Sequence, residues 1–142
     1  MSVLGLRGQA QSDERLERRA TTLLDLFFSG SASQIQGHLH DAFSWFGRAI
    51  APRDLDAARL SRLTCFNPIR PRALPLAITR AWSERGDEIV PRGARALVLV
   101  DLVPRGGGAF VTVAVAFAGL DADARVLAVF DAAAIVPHLR AI

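Results

Sequence analysis

The fold is decided by residues 94–118, which read ARALVLVDLVPRGGGAFVTVAVAFA. Two β-branched runs, residues 94–103 and 109–118, are separated by a short segment that contains Pro104 and three glycines. Apolar side chains recur in each run with the period of two that is typical of a strand. Because the connection is so short, the two runs are predicted to pair as an antiparallel hairpin.

The chain on both sides of this hairpin extends it into a meander. Residues 76–82 and 125–131 are predicted as two more strands, and the short connection 119–124 predicts a further antiparallel pair. Upstream, Pro68, Pro71 and Pro75 exclude a continuous helix and favour extended chain.

The first third of the chain has the helical period instead. A helix is predicted to begin at Ser12 and to end at Gly30, because one face between these residues is apolar. That face consists of Leu16, Ala20, Leu23, Leu24, Phe27 and Phe28. A shorter helix from Ser31 or Ser33 should carry Ile35 and Leu39.

A short strand over residues 43–46, closing at Gly47, and a third helix from Asp54 toward Phe66 complete the prediction. Helices followed by a meander indicate the α+β class, with three N-terminal helices packed on a curved, mainly antiparallel sheet. We expect residues 1–11 to form a loose leader and residues 12–142 to form a single domain.

The strand at residues 109–118 is apolar on both faces, with Val113 and Val115 on one and Ala114 and Ala116 on the other. The predicted helices suffice to cover one face only, and an uncovered apolar face usually marks an interface. We therefore expect a homodimer with two-fold symmetry, built on the outer sheet face. That face would consist of Leu97, Leu99, Thr112, Ala114 and Ala116.

Composition excludes several classes of protein. With 142 residues, 51% hydrophobic and 22% charged, the chain can bury one core without staples. Its longest uncharged apolar stretch, residues 109–120, is too short to span a bilayer, and Cys65 is the only cysteine. We expect a cytoplasmic protein without membrane contact. All 17 basic residues are arginines scattered along the chain, so nucleic-acid binding is not indicated.

Sequence motifs for cofactors and metals are missing. No phosphate-binding glycine loop or zinc-binding helix motif occurs, and His38 and His40 would point apart on a helix. We therefore predict no metal and no cofactor, and we interpret Cys65 as a buried structural cysteine.

Asp101 is the most conspicuous carboxylate because it interrupts an apolar strand. Two interpretations stay open at this point. Asp101 can pair with an arginine near the open sheet face, or it can be a pocket acid with a raised pKa.

Local residues add a family resemblance to this pattern. Leu74-Pro75-Leu76-Ala77-Ile78, Leu39-His40-Asp41-Ala42 before Gly47, and the turn Asp121-Ala122-Asp123 are similar to segments of bacterial Δ5-3-ketosteroid isomerases. Together with the order of elements, they make the chain resemble the NTF2-like, or cystatin-like, cone fold, which includes the SnoaL-like proteins. The resemblance implies a pocket between the first helix and the concave sheet.

The same resemblance places the catalytic positions of the isomerases at Leu23, Phe46 and Val115. These side chains can neither accept a proton nor donate a hydrogen bond to an enolate, so we expect no ketosteroid isomerase activity. The expected pocket lining is apolar and consists of Leu23, Phe27, Trp45, Phe46, Val100, Val113 and Val115.

Three functional hypotheses follow from the resemblance. The first is a non-catalytic pocket protein that binds a small hydrophobic molecule. The second is a cyclase-, dehydratase- or hydrolase-type enzyme that uses His38, His40 or Asp101 for proton transfer. The third is a dimeric interaction module whose pocket is filled by side chains.

Overall fold

The computed structural model describes residues 3–29, 32–51, 66–84, 90–121 and 123–135. Its helices are α1 (Val3–Ser29), α2 (Ala32–Gln36) and α3 (Leu76–Glu84). Its strands are β1 (Leu39–Trp45), β2 (Arg48–Ala49), β3 (Phe66–Ala73), β4 (Ala96–Pro104), β5 (Val111–Phe117) and β6 (Val126–Asp131), followed by a 3-10 turn at Ala132–Ala134.

The strands form one open mixed sheet in the order β2-β1-β6-β5-β4-β3. Neighbouring strands are antiparallel except β1 and β6, which run parallel. The predicted α+β class is confirmed, and so are the two hairpins formed by residues 94–103, 109–118 and 125–131. In the central hairpin Asp101 lies opposite Thr112, and this register places the two side chains next to each other on the same face of the sheet.

Each face of the sheet has its own hydrophobic core. On the inner face, β4, β5 and β6 pack against the apolar stripe of α1. On the outer face, Leu97, Ala114 and Ala116 are buried in a cluster with Trp82 of α3 and Ile135. The cover expected from a partner subunit is thus supplied by the chain itself, and the homodimer stays a prediction.

Residues 76–82 form a helix, so the strand predicted there is wrong. The Pro75 carbonyl accepts hydrogen bonds from the backbone N–H groups of Ile78 and Thr79, which begins α3. The buried residues Thr79 and Trp82 have helical spacing, and this one apolar side lies on the sheet. The extended chain is upstream, in edge strand β3, where prolines are tolerated.

The N-terminal elements also differ in their limits. Helix α1 begins at Val3 rather than at Ser12, so residues 3–11 are helical and not a loose leader. Leu39 begins β1 and does not extend α2, because it pairs with Val126 of β6. The predictions for Gly30, Ser31 and Cys65 and for the helix after Asp54 lie outside the described residues, and Phe66 itself begins β3.

None of the helices in the described ranges combines the length and hydropathy that crossing a bilayer requires.

Candidate functional site

An apolar cavity of about 300 Å³ opens at one end of the inner sheet face. It lies where β4 ends and β5 begins, between these strands, the C-terminal part of α1 and the β1–β2 turn. Its lining has no polar side chain and consists of Phe28, Phe46, Phe66, Leu102, Val111 and Val113.

The cavity has a buried floor and an exposed rim. Val113 is fully buried and Leu102 nearly so, whereas Phe46 and Val111 are 45% and 42% exposed. One wall is formed by Phe28 of α1 and Phe66 of β3, whose ring centroids are 6.1 Å apart. Such a site can exclude water and bind apolar surface, but it offers no side chain for proton transfer.

Phe46 reaches the rim through an unusual backbone conformation. It forms a two-residue turn with Gly47 between β1 and β2, and both residues have positive φ, 49° and 81°. Two positive φ angles define a type I′ turn, whose first position favours Asn, Asp or Gly. A phenylalanine there is strained, and its ring packs edge-on against Trp45 at 4.9 Å.

Of the seven side chains expected to line the pocket, Phe46 and Val113 do so. Leu23, Phe27, Val100 and Val115 are instead buried in the inner core. Trp45 is half-buried against Phe27, with ring centroids 4.8 Å apart. Leu23 and Phe27 of α1 therefore fill the part of the expected pocket next to Val100 and Val115, and the cavity lies at the end of the sheet.

Four lining residues were not expected from the sequence. Phe28 belongs to the apolar stripe of α1, and Val111 and Leu102 continue the inner-face alternation of β5 and β4. The sequence pattern could therefore have identified these three as lining residues. Phe66 had none, because residues 54–66 were predicted as helix and the end of that segment is strand.

On the outer face, directly behind the cavity, Asp101 is the centre of an ion cluster. Its carboxylate is 4% exposed and accepts two hydrogen bonds from Arg72, at 3.0 and 3.1 Å. Arg70 Nε lies 3.0 Å from Oδ2, and Thr112 donates to Oδ1 at 2.8 Å. The predicted pairing of Asp101 with an arginine is confirmed.

This cluster lowers the pKa of Asp101 below its ordinary value of 3.8. The hydrogen bonds from Arg72 are the largest cause, and the Thr112 hydrogen bond and both arginine charges act in the same direction, while burial opposes them. The alternative of a pocket acid with a raised pKa is therefore wrong, because Asp101 is an ionised group on the outer face.

The two histidine candidates lie far from this carboxylate. His40 is in β1, where its Nδ1 accepts the backbone N–H of Ala42 at 3.0 Å, and His38 immediately precedes that strand. Three inter-strand spacings, about 14 Å, separate β1 from β4 in the sheet. The structure does not bring the candidates together as an acid–base pair, and the described ranges contain no group of three or more potential metal ligands.

Comparisons of the chain with protein-family models, with curated proteins and with solved structures found no match.

Proposed function

We propose that the protein binds a small uncharged hydrophobic molecule in the cavity at the end of the sheet. The observation that carries this proposal is an open cavity of about 300 Å³ with an entirely hydrophobic lining. Ligand pockets begin at about this size, and it is roughly twice that of a buried cavity that binds benzene. A molecule of one or two rings is therefore the ligand class.

The strain at Phe46 supports this function. A bulky residue in a left-handed conformation costs on the order of 1 kcal/mol and persists only where the surroundings hold it. Here the unfavourable turn conformation presents an aromatic ring at the cavity rim. Such a ring can pack on a bound ligand and shield it from water.

We propose an NTF2-like relationship as the family background, since α1, α2 and β1 precede the antiparallel strands β3–β6 in the order that the resemblance implies. The third helix of that order was predicted from Asp54 onward, outside the described residues. Helix α3 within the β3–β6 region departs from the expected pattern. Leu23 and Val115 are buried among apolar side chains, so no proton-transfer group stands at those isomerase-like positions. These observations favour binding over isomerase-type catalysis.

The ligand class can be tested with butylbenzene and its charged analogue 4-butylbenzoate. At ten times its Kd, butylbenzene should raise the Tm by about 4 °C. It should also shift the methyl NMR signals of Val111 and Val113. The carboxylate should not shift these methyl signals, because a buried charge without a partner is very unfavourable. Methyl shifts with the carboxylate alone would contradict the proposal.

A pair of matched variants locates the binding. Val111→Phe places a large ring at the rim and should abolish the butylbenzene response. Val103→Phe makes the same change on the opposite face, one residue after Leu102 in β4, and should leave the response intact. Equal loss in both variants, or binding retained by Val111→Phe, would show that the ligand does not occupy this cavity.

A further inference from the structure

Arg70 lies in an irregular part of the edge strand β3, on the outer side of the sheet. The register of β3 with β4 shifts between Ile69 and Arg72, and Arg70 has a φ of 50°. A left-handed arginine is uncommon, and such conformations cluster at functional sites. This conformation places the guanidinium of Arg70 against both Asp101 and Phe110.

The guanidinium of Arg70 is fixed in place although its side chain is 60% exposed. Its Nε pairs with Asp101 at 3.0 Å, and its central carbon lies 5.4 Å from the centroid of the Phe110 ring. The carbonyl of Arg70 also accepts a hydrogen bond from Arg72 at 3.0 Å. Its two terminal nitrogens have no partner among the described residues. A guanidinium held in this way loses little freedom when it binds an anion.

The positive charge and the N–H donors of this cluster are not fully matched by acceptors within the described residues. Two arginines share one carboxylate, so the cluster carries a net single positive charge. Arg72 binds the Asp101 carboxylate in a bidentate manner, Thr112 also donates to Oδ1, and Arg70 forms an ion pair with Oδ2. An external monoanion can neutralise the remaining charge and accept from the terminal nitrogens of Arg70.

The surface beside Arg70 is apolar. Phe110 is 53% exposed and Ile69 is 37% exposed, and Ile69 lies opposite Asp101 in the β3–β4 register. An anion that carries a hydrophobic group can therefore pair its charge with Arg70 and cover these two side chains. This combination favours an organic carboxylate over a doubly charged phosphate.

We propose that this surface is a binding site for a small organic carboxylate. The carboxylate accepts two hydrogen bonds from the terminal nitrogens of Arg70, and the apolar part of the molecule lies on Phe110 and Ile69. Arg72, Asp101 and Thr112 position Arg70. The site is on the opposite face from the apolar cavity and does not depend on the function proposed there.

Phenylacetate is a probe that has both required groups. In an NMR titration it should cause saturable shifts of the Arg70 Nε–H signal and of the Phe110 and Thr112 amides. Its neutral analogue phenylacetamide should cause none, and inorganic phosphate should bind more weakly. Equal binding of phosphate would show a general anion patch, and the absence of saturable shifts with phenylacetate would show that no site exists; either result overturns the proposal.

Variants of Arg70 distinguish binding through the planar guanidinium group from binding through positive charge alone. Arg70→Gln and Arg70→Lys should both weaken phenylacetate binding about tenfold or more, because lysine keeps the charge but loses the planar fork. Arg70→Gly should also lose binding, and it should fold because glycine accepts a left-handed φ without strain. Arg95→Gln removes an exposed arginine at the other end of the β4–β5 hairpin and should bind as the unmodified protein does. Retained binding in Arg70→Lys would show that charge alone suffices, and would contradict the proposed pair of hydrogen bonds from the guanidinium.

Discussion

The two faces of the sheet differ most at the end of the β4–β5 hairpin. Leu102 and Val113 line an apolar cavity on the inner face, while Asp101 and Thr112 form a charged network on the outer face. These side chains are direct neighbours in sequence, separated only by the alternation of a strand. On the outer face the side chains compensate a buried charge, whereas on the inner face they leave a cavity between them.

Each face also has one strained residue at its candidate site. Phe46 at the cavity rim and Arg70 in the ion cluster are the non-glycine residues with positive φ in the described ranges. Neither residue belongs to the buried core, since Phe46 is 45% exposed and the side chain of Arg70 is 60% exposed. The outer face thus has a buried charge network and the inner face an open cavity rim. We therefore predict that changes at Asp101 affect stability, whereas changes at Phe46 affect binding.

The largest expected effect is that of Asp101→Asn. This change removes the charge on which two arginines and Thr112 converge, and it should lower the free energy of unfolding by about 2–3 kcal/mol. Urea denaturation measures this value. Asp41→Asn, an exposed change on β1, should alter it by less than about 0.5 kcal/mol. Similar values for the two variants would mean that the network does not stabilise the fold.

The same network should make stability depend on acid. Because the pKa of Asp101 is lower in the folded protein than its ordinary 3.8, its stabilising contribution is complete above that pH. The contribution is lost as the pH falls through the lower folded-state pKa. The stability difference between the unmodified protein and Asp101→Asn should therefore be constant from pH 7 to about pH 5 and shrink below about pH 4. A difference that grows on acidification would reverse the assigned sign.

The smallest expected effect is that of Phe46→Asn. Asparagine tolerates the left-handed conformation, so the free energy of unfolding should rise by about 0.5 kcal/mol through relief of strain. Binding of butylbenzene should weaken because one wall of the rim is lost. Thermal unfolding with and without ligand measures both quantities. A less stable variant that binds normally would indicate a structural role for Phe46.

The sequence determined the central hairpins, because the apolar runs at residues 94–103, 109–118 and 125–131 are joined by connections too short for anything but antiparallel pairing. For Asp101 the sequence left two solutions open, an arginine partner or a raised pKa, since an unpaired ionised carboxylate within an apolar strand is too costly to bury. Arginine was the expected partner because the chain contains no lysine.

Only the tertiary structure decided which surfaces stay open. Residues 76–82 are short enough to suit a strand or a helix, and packing of Trp82 on the outer face selected the helix. The cavity arises where Phe28, Phe46 and Phe66, from three separate elements, surround space that no side chain fills. Local periodicity reports which face a residue occupies, but the volume between distant side chains depends on how the elements pack together.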